Sequence, residues 1–180
     1  MNQLLLMQQQ APRPTMFFHQ ITVYTPNTMG IVELVFDGPG ELPTTAHEGD
    51  VGFDLRSFVD VGLPPGKVTK ISTGIRCVSF REDHNKDVFP EFKSRSGLAS
   101  RGIFVVGGVI DKEYKGEWCV LLFNSTDQTY NVSKGDKIAQ MVLVQIVSRH
   151  HEIRKATPNE SFAETDTSSR GASGFGSTGR

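Results

Sequence analysis

An all-β fold, a jelly-roll-like sandwich or barrel, is what this sequence predicts, and three observations predict it. Apolar residues recur with period two, several continuous apolar runs have the length of a strand, and turn signals separate them at short intervals. Val32, Leu34 and Phe36 alternate with Ile31, Glu33, Val35 and Asp37, which places the first three on one face of a strand. Val68, Ile71, Ile75 and Cys77 belong to further short extended runs. Trp118–Phe123 and Ile138–Val147 are continuous apolar runs of strand length. Between these lie Asp37-Gly38-Pro39-Gly40, Pro64-Pro65-Gly66, Lys115-Gly116 and Lys134-Gly135-Asp136, each a turn by composition. No long segment keeps a helical period; Gly97–Arg101 alone reads as a short helical stretch. Many short strands closely spaced are the pattern of a sandwich or barrel.

A chain of 180 residues fits one domain with a core large enough to be stable without staples. Residues 31–155 carry the β pattern and form that domain. Residues 1–30 read as an N-terminal extension, partly disordered, with residues 1–15 a leader without a basic n-region. Residues 81–91 include the polar stretch Arg81–Asp87, a solvated loop. Residues 156–180 are rich in Ser, Thr and Gly with few large apolar residues, the composition of a flexible C-terminal arm. No internal repeat is visible.

Nineteen basic residues against 20 acidic ones provide no bulk field to draw the chain to nucleic acid or to a membrane surface. No apolar run approaches the roughly 20 residues that span a bilayer. Cys77 and Cys119 sit in apolar, strand-like runs, where two buried free thiols are expected rather than a disulfide or metal site. That usage points to an intracellular, reducing compartment, cytoplasm or nucleus.

Five segments hold residue types suited to phosphate chemistry. In Gly49–Leu55, Asp50 and Asp54 flank Gly52 in a turn entering a strand; carboxylates suit a hard cation, and they also cap turn amides. Ser94–Ala99 combines Arg95, a hydroxyl at Ser96 and Gly97 ahead of a helical start. This is either an anion site or an ordinary helix cap by Ser94 or Ser96. Gly107–Glu117 is a polar turn between two apolar runs, so a β-hairpin is expected. Its Asp111 follows the β-branched Val109 and Ile110 and is either a general base or a turn-stabilising group. In Lys134–Met141 a turn enters a strand with Gln140 as a neutral polar group among apolar neighbours. In Arg170–Gly179 the glycines can cradle phosphates through consecutive N–H groups, Arg170 suits a bidentate phosphate contact, and Phe175 suits base stacking.

In this order the five segments resemble the motifs of the homotrimeric, all-β dUTPase family. The residues that carry the resemblance are Gly52-Phe53-Asp54-Leu55, Arg95-Ser96-Gly97-Leu98-Ala99, and Gly108-Val109-Ile110-Asp111 with Tyr114 and Gly116. Gly135-Asp136-Lys137-Ile138-Ala139-Gln140 and Arg170-Gly171 with Gly174–Gly179 complete it. Together they cover residues 31–179. The resemblance implies hydrolysis of dUTP to dUMP and pyrophosphate with Mg²⁺, limiting uracil incorporation into DNA and supplying dUMP for dTMP synthesis. It implies a homotrimer with shared sites: the first, second and fourth motifs from one subunit, the third from another, the fifth from the remaining one. Asp111 would hold the attacking water and Tyr114 would pack under the deoxyribose. Backbone groups from Gly108, Val109 and Ile110 through Cys119 would read the uracil edge. Ser96, Gly97 and Gln140 would contact phosphates, with Arg95 in the same polar cluster, and Asp54 would hold magnesium through water. Arg170 would reach the terminal phosphate and Phe175 stack over uracil, with Gly176 and Ser177 beside them.

The chain departs from the family pattern at Phe53 for Tyr, at Ser94 for Pro and at Arg101-Gly102, which lacks a usual His. It is also slightly short between Leu98 and Gly108 and long around 81–91. Two other readings stay open: a dCTP deaminase or bifunctional deaminase on the same fold, and a non-catalytic binding protein using the trimer surface or the 81–91 loop. His150-His151-Glu152 has metal-ligand residue types, but adjacent His residues on a strand point to opposite faces.

Overall fold

The computed structural model describes residues 18–25, 30–82 and 87–146. They form eleven strands and one short helix: β1 (Phe18–Thr25), β2 (Gly30–Asp37), β3 (Phe53–Arg56), β4 (Val61–Leu63), β5 (Val68–Ser72), β6 (Arg76–Glu82), β7 (Val88–Lys93), α1 (Ser96–Ala99), β8 (Ile103–Val105), β9 (Cys119–Asn124), β10 (Tyr130–Val132) and β11 (Lys137–Gln145). The fold is all-β and jelly-roll-like, the class that the sequence predicts. Its strands make four small sheets, ordered β1-β2-β6, β10-β4, β3-β11-β7 and β5-β9-β8. Every pairing is antiparallel.

The alternation in β2 is realised as expected: Val32, Leu34 and Phe36 are buried, while Glu33, Val35 and Asp37 stay partly in solvent. The run after Trp118 becomes β9, with Val120, Leu122 and Asn124 turned inward. Asn124 is a buried polar side chain with its hydrogen bonds made. Its amide donates to the carbonyls of Leu63 and Gln128, and its Oδ1 accepts from Thr126. That satisfaction is what makes its burial tolerable.

Trp118 ties the sheets together. Its ring meets Phe36 of β2 edge-on at 4.9 Å and Phe92 of β7 at 5.4 Å, so one side chain from the start of β9 contacts two other sheets. Edge-to-face pairs of this kind add about 0.5–1.5 kcal/mol to the burial of the rings themselves. Leu34, Leu55, Leu63, Ile71, Ile103, Ile138 and Met141 complete the innermost core.

Residues 18–25 are the ordered part of the N-terminal extension. Phe18–Thr25 is a strand paired with β2 in continuous register from Phe18↔Asp37 to Thr25↔Gly30. Residues 1–15 and the central part of the 81–91 loop lie outside the described residues, as do the C-terminal arm and His150-His151-Glu152. Among the described residues no helix is long and apolar enough to cross a membrane.

Both cysteines are free, Cys77 buried and Cys119 half-buried. Burial pushes both thiols upward. Lys115 partly offsets this at Cys77, whereas Glu117 adds to it at Cys119. Neither has the depressed pKa of a reactive thiolate.

Candidate active site

The β3–β11 ladder builds the first part of the site. Asp54 of β3 lies opposite Gln140 of β11, and Arg56 lies opposite Lys137. Asp54 and Arg56 are two apart and so face the same way. Lys137 and Gln140 are three apart and would ordinarily face opposite ways. A register shift between Lys137 and Ala139 inserts one residue and brings both to the same side.

Asp54 is buried and holds two cations: Arg95 Nε at 2.8 Å on Oδ1 and Lys137 Nζ at 2.7 Å on Oδ2. Its backbone N–H donates to Thr44 O at 2.8 Å, which fixes the carboxylate's origin. On the other edge of β11, β7 brings Lys93 opposite Gln140. The chain leaving β7 therefore passes close by, and Gln140 Nε2 donates to Ser94 O at 3.0 Å. Arg56 is held by Gly135 O at 2.7 Å and Glu41 at 3.2 Å. The first, second and fourth motifs thus meet around one carboxylate.

Arg56, Arg95, Arg101 and Lys137 line an adjoining cleft of about 460 Å³, together with Gly97, Tyr130 and Asp136. Four cationic side chains in one cleft suit a polyanion. Sequence alone assigns no role to Lys137, Arg56 or Arg101. Lys137 stands inside a quoted motif, which is a usable signal. Arg56 and Arg101 acquire theirs only from strand pairing and from the placement of α1.

The alternatives left open for the serines and for Asp50 resolve differently. Asp50 accepts the N–H groups of Ala46 and His47 at 3.1 and 2.8 Å, so it stabilises a turn apart from the Asp54 cluster. Neither Ser94 nor Ser96 caps α1. Its N-cap residue is Arg95, without a side-chain cap bond, and Ser94 Oγ instead accepts Val105 N–H at 2.8 Å. Ser96 and Gly97 are exposed. The bonds of the first turn run from Leu98 and Ala99 N–H to Arg95 O and leave the Ser96 and Gly97 amides unused in the helix. Asp136 closes its own turn by accepting Ser133 N–H at 2.8 Å.

The third motif forms the connection between β8 and β9, which pair as the hairpin expected there. The connection is wider than a tight turn because Val109 leaves β8 and bridges to Glu91 beside β7's Phe92. Phe92 N–H donates to Gly108 O at 2.7 Å, and Ile110 N–H to Pro90 O at 3.1 Å. A Cβ at Gly108 would collide with the Phe92 carbonyl, so only glycine permits this approach. Beyond it, Tyr114 N–H donates to Asp111 O at 3.0 Å, and the Tyr114 ring folds over Gly116, where any Cβ would strike it. Val109 and Tyr114 are exposed apolar groups at 64% and 48%. Asp111 is exposed, and its carboxylate has no hydrogen bond or ion pair among the described residues. No residue of 107–117 lines the cleft at Asp54. Cys119 starts β9 opposite Ser72. Arg170, Phe175, Gly176 and Ser177 lie outside the described residues.

Among the described residues no three His, Cys, Asp or Glu side chains gather to hold a metal. Asp54 would hold a hydrated divalent cation through a bound water, since a carboxylate has about four lone-pair positions and two are used here.

An all-β domain with a carboxylate–cation cluster beside a cleft suited to a polyanion is thus the class that fold and site define. Comparison with known proteins makes it specific. The family model described as dUTPase matches residues 39–179. Avian adenovirus 8 deoxyuridine 5'-triphosphate nucleotidohydrolase is 42% identical over 139 residues, covering 76% of this chain and 77% of the viral protein. The protein of that name from Paramecium bursaria Chlorella virus 1 is 40% identical over 139 residues, covering 76% and 89%. The solved structure of a mutant Staphylococcus bacteriophage 80alpha dUTPase with dUpNHpp shares the fold. Its TM-score is 0.60 at 23% identity, over 78% of this chain and 93% of the phage chain. The chain belongs to the dUTPase family.

Proposed function

We propose that this protein is a dUTP diphosphatase, hydrolysing dUTP to dUMP and pyrophosphate as a magnesium-assisted homotrimer. The observation behind the reading is the Asp54–Arg95–Lys137–Gln140 cluster on a cationic cleft, with the Asp111 hairpin presented elsewhere on the same chain. A complete site then takes its third motif from another copy. Such sharing makes the assembly and the chemistry inseparable.

In this reading the triphosphate lies along Ser96, Gly97 and Gln140, with Arg95 oriented by Asp54. Asp111 takes the proton from a water whose oxygen attacks the α-phosphorus. The bond from that phosphorus to the β-bridging oxygen breaks, and pyrophosphate leaves with the electron pair. Asp54 would hold magnesium through water, and the ion would supply positive charge that offsets the phosphate oxygens. Fixed cations and amides stabilise the charge that develops at the leaving group. Alignment and a base suffice, so no Ser or Cys nucleophile is needed. Tyr114 packs against the deoxyribose, and the backbone from Gly108, Val109 and Ile110 to Cys119 reads the uracil edge. Removing dUTP in this way would limit uracil in DNA and supply dUMP.

The test is pyrophosphate release from a panel of dUTP, dTTP, dCTP and UTP, with the oligomeric state measured by light scattering. Turnover confined to dUTP by a trimer is the expected result. A fully active monomer would overturn shared sites, and ammonia release from dCTP would favour the deaminase reading.

A second expectation concerns Arg170, Phe175, Gly176 and Ser177. Deleting residues 169–180 should remove most turnover while leaving the melting temperature nearly unchanged. The segment's only large apolar residue is Phe175, so it contributes little to a core. Ordering it costs about 1–2 kcal/mol per residue in backbone entropy, which nucleotide contacts from Arg170 and the glycine amides would offset. Unchanged turnover in the truncated protein would remove the arm from the mechanism.

A further inference from the structure

The connection 106–118 carries Asp111 and Tyr114 but is not itself part of a sheet, so what holds it decides how accurately they are placed. Its first leg is held by the Gly108 and Ile110 bonds to β7. Its second leg is held by the turn 72–75, between β5 and β6. Trp118 N–H donates to Ile75 O at 2.8 Å, and Thr73 Oγ1 donates to the Trp118 carbonyl. Glu117 adds a side-chain tie to the same turn. Its Oε1 accepts from Ser72 Oγ and from Gly74 N–H, the latter at 2.9 Å. The other end of the tie is Tyr114, whose hydroxyl donates to the Glu117 backbone carbonyl at 3.3 Å. Glu117 is therefore the residue at which a fixed inter-strand turn and the ring of Tyr114 meet.

We propose that Glu117 is a positioning residue for the nucleotide site: its carboxylate, latched on Ser72 and Gly74, sets the position of Tyr114 and hence the fit to the sugar. The proposal rests on the reading that this hairpin presents Tyr114 to a deoxyribonucleotide. The role of Glu117 in this proposal is through other groups, not through contact with substrate. It acts by fixing its own carbonyl, against which Tyr114 rests, and thereby the floor under the sugar. Two donors on one charged oxygen make the latch stronger than a single neutral hydrogen bond would.

Glu117→Ala should lower kcat/KM for dUTP about tenfold, because small misplacements of binding groups are costly in rate. It should also narrow the preference for dUTP over UTP, which a general loss of stability would not do well below the melting temperature. Glu117→Gln should restore most of both, since an amide oxygen accepts the same two donors, and Ser72→Ala should fall between. A Glu117→Ala protein with wild-type kcat/KM and wild-type dUTP-to-UTP preference would overturn the latch. Hydrogen exchange of the ligand-free protein separates the latch from the functional reading. Amides in 110–118 should lose protection in Glu117→Ala and keep it in Glu117→Gln, whatever nucleotide the protein hydrolyses. If wild type fails to turn over dUTP while those amides behave as stated, the functional reading falls and the latch stands. Unchanged exchange in Glu117→Ala overturns the latch alone.

Discussion

Replacing Asp111 with asparagine should abolish most turnover and leave folding intact. The structural work of residue 111 is done by its backbone, whose carbonyl accepts Tyr114 N–H at 3.0 Å. Its carboxylate is exposed and makes no hydrogen bond or ion pair among the described residues, so asparagine fits the same turn without losing a contact. What is lost is the capacity to take a proton from water. A positioned general base is typically worth ~10²–10⁴-fold in rate, and that is the expected fall in kcat. Binding of dUTP and the melting temperature should change little. Initial rates of pyrophosphate release, read beside thermal melting and nucleotide titration, check this directly. Near-normal turnover in a folded Asp111→Asn protein would remove Asp111 from the chemistry.

Asp54 should behave differently, because its carboxylate serves structure and site together. Asp54→Ala leaves the Arg95 guanidinium and the Lys137 ammonium facing each other without the anion that each touches at 2.7–2.8 Å. Breaking a fully buried pair costs about 3–5 kcal/mol. Arg95 and Lys137 keep about a third of their side-chain surface in water, which screens part of that repulsion, so about 1–3 kcal/mol is expected. For a chain of this size that lowers the melting temperature by roughly 2–12 °C. Turnover should fall further than stability alone accounts for, since Arg95 loses its orientation. The magnesium dependence of the residual rate should weaken as well. Asp54→Asn, which preserves shape but not charge, should show the same signs. An Asp54→Ala protein with unchanged melting and unchanged magnesium dependence would separate this cluster from the site.

The all-β class, the inward face of β2, the hairpin at the third motif and the residues that carry the family are all legible in the linear sequence. They are properties of period and local turn chemistry, which a linear pattern records. Residues 18–25 are a strand because they pair with β2 along its whole length. A ladder with residues 30–37 supplies the backbone partners, and the sequence of 18–25 does not name its partner. The residues by themselves show the site only as segments; it is the family resemblance that implies the first, second and fourth come together. Asp54, Arg95 and Gln140 can be named one by one, yet nothing in their spacing says that a carboxylate at 54 meets cations at 95 and 137. That convergence follows from the β3–β11–β7 pairing, and within it from one register shift between Lys137 and Ala139. The shift turns two side chains three residues apart to the same face, contrary to the ordinary strand period. The placement of Asp111 is likewise a tertiary decision. It depends on Gly108 passing against the carbonyl of Phe92 and on the turn at 72–75 receiving Glu117 and Trp118. All of these contacts are long-range in sequence, and only packing brings them together.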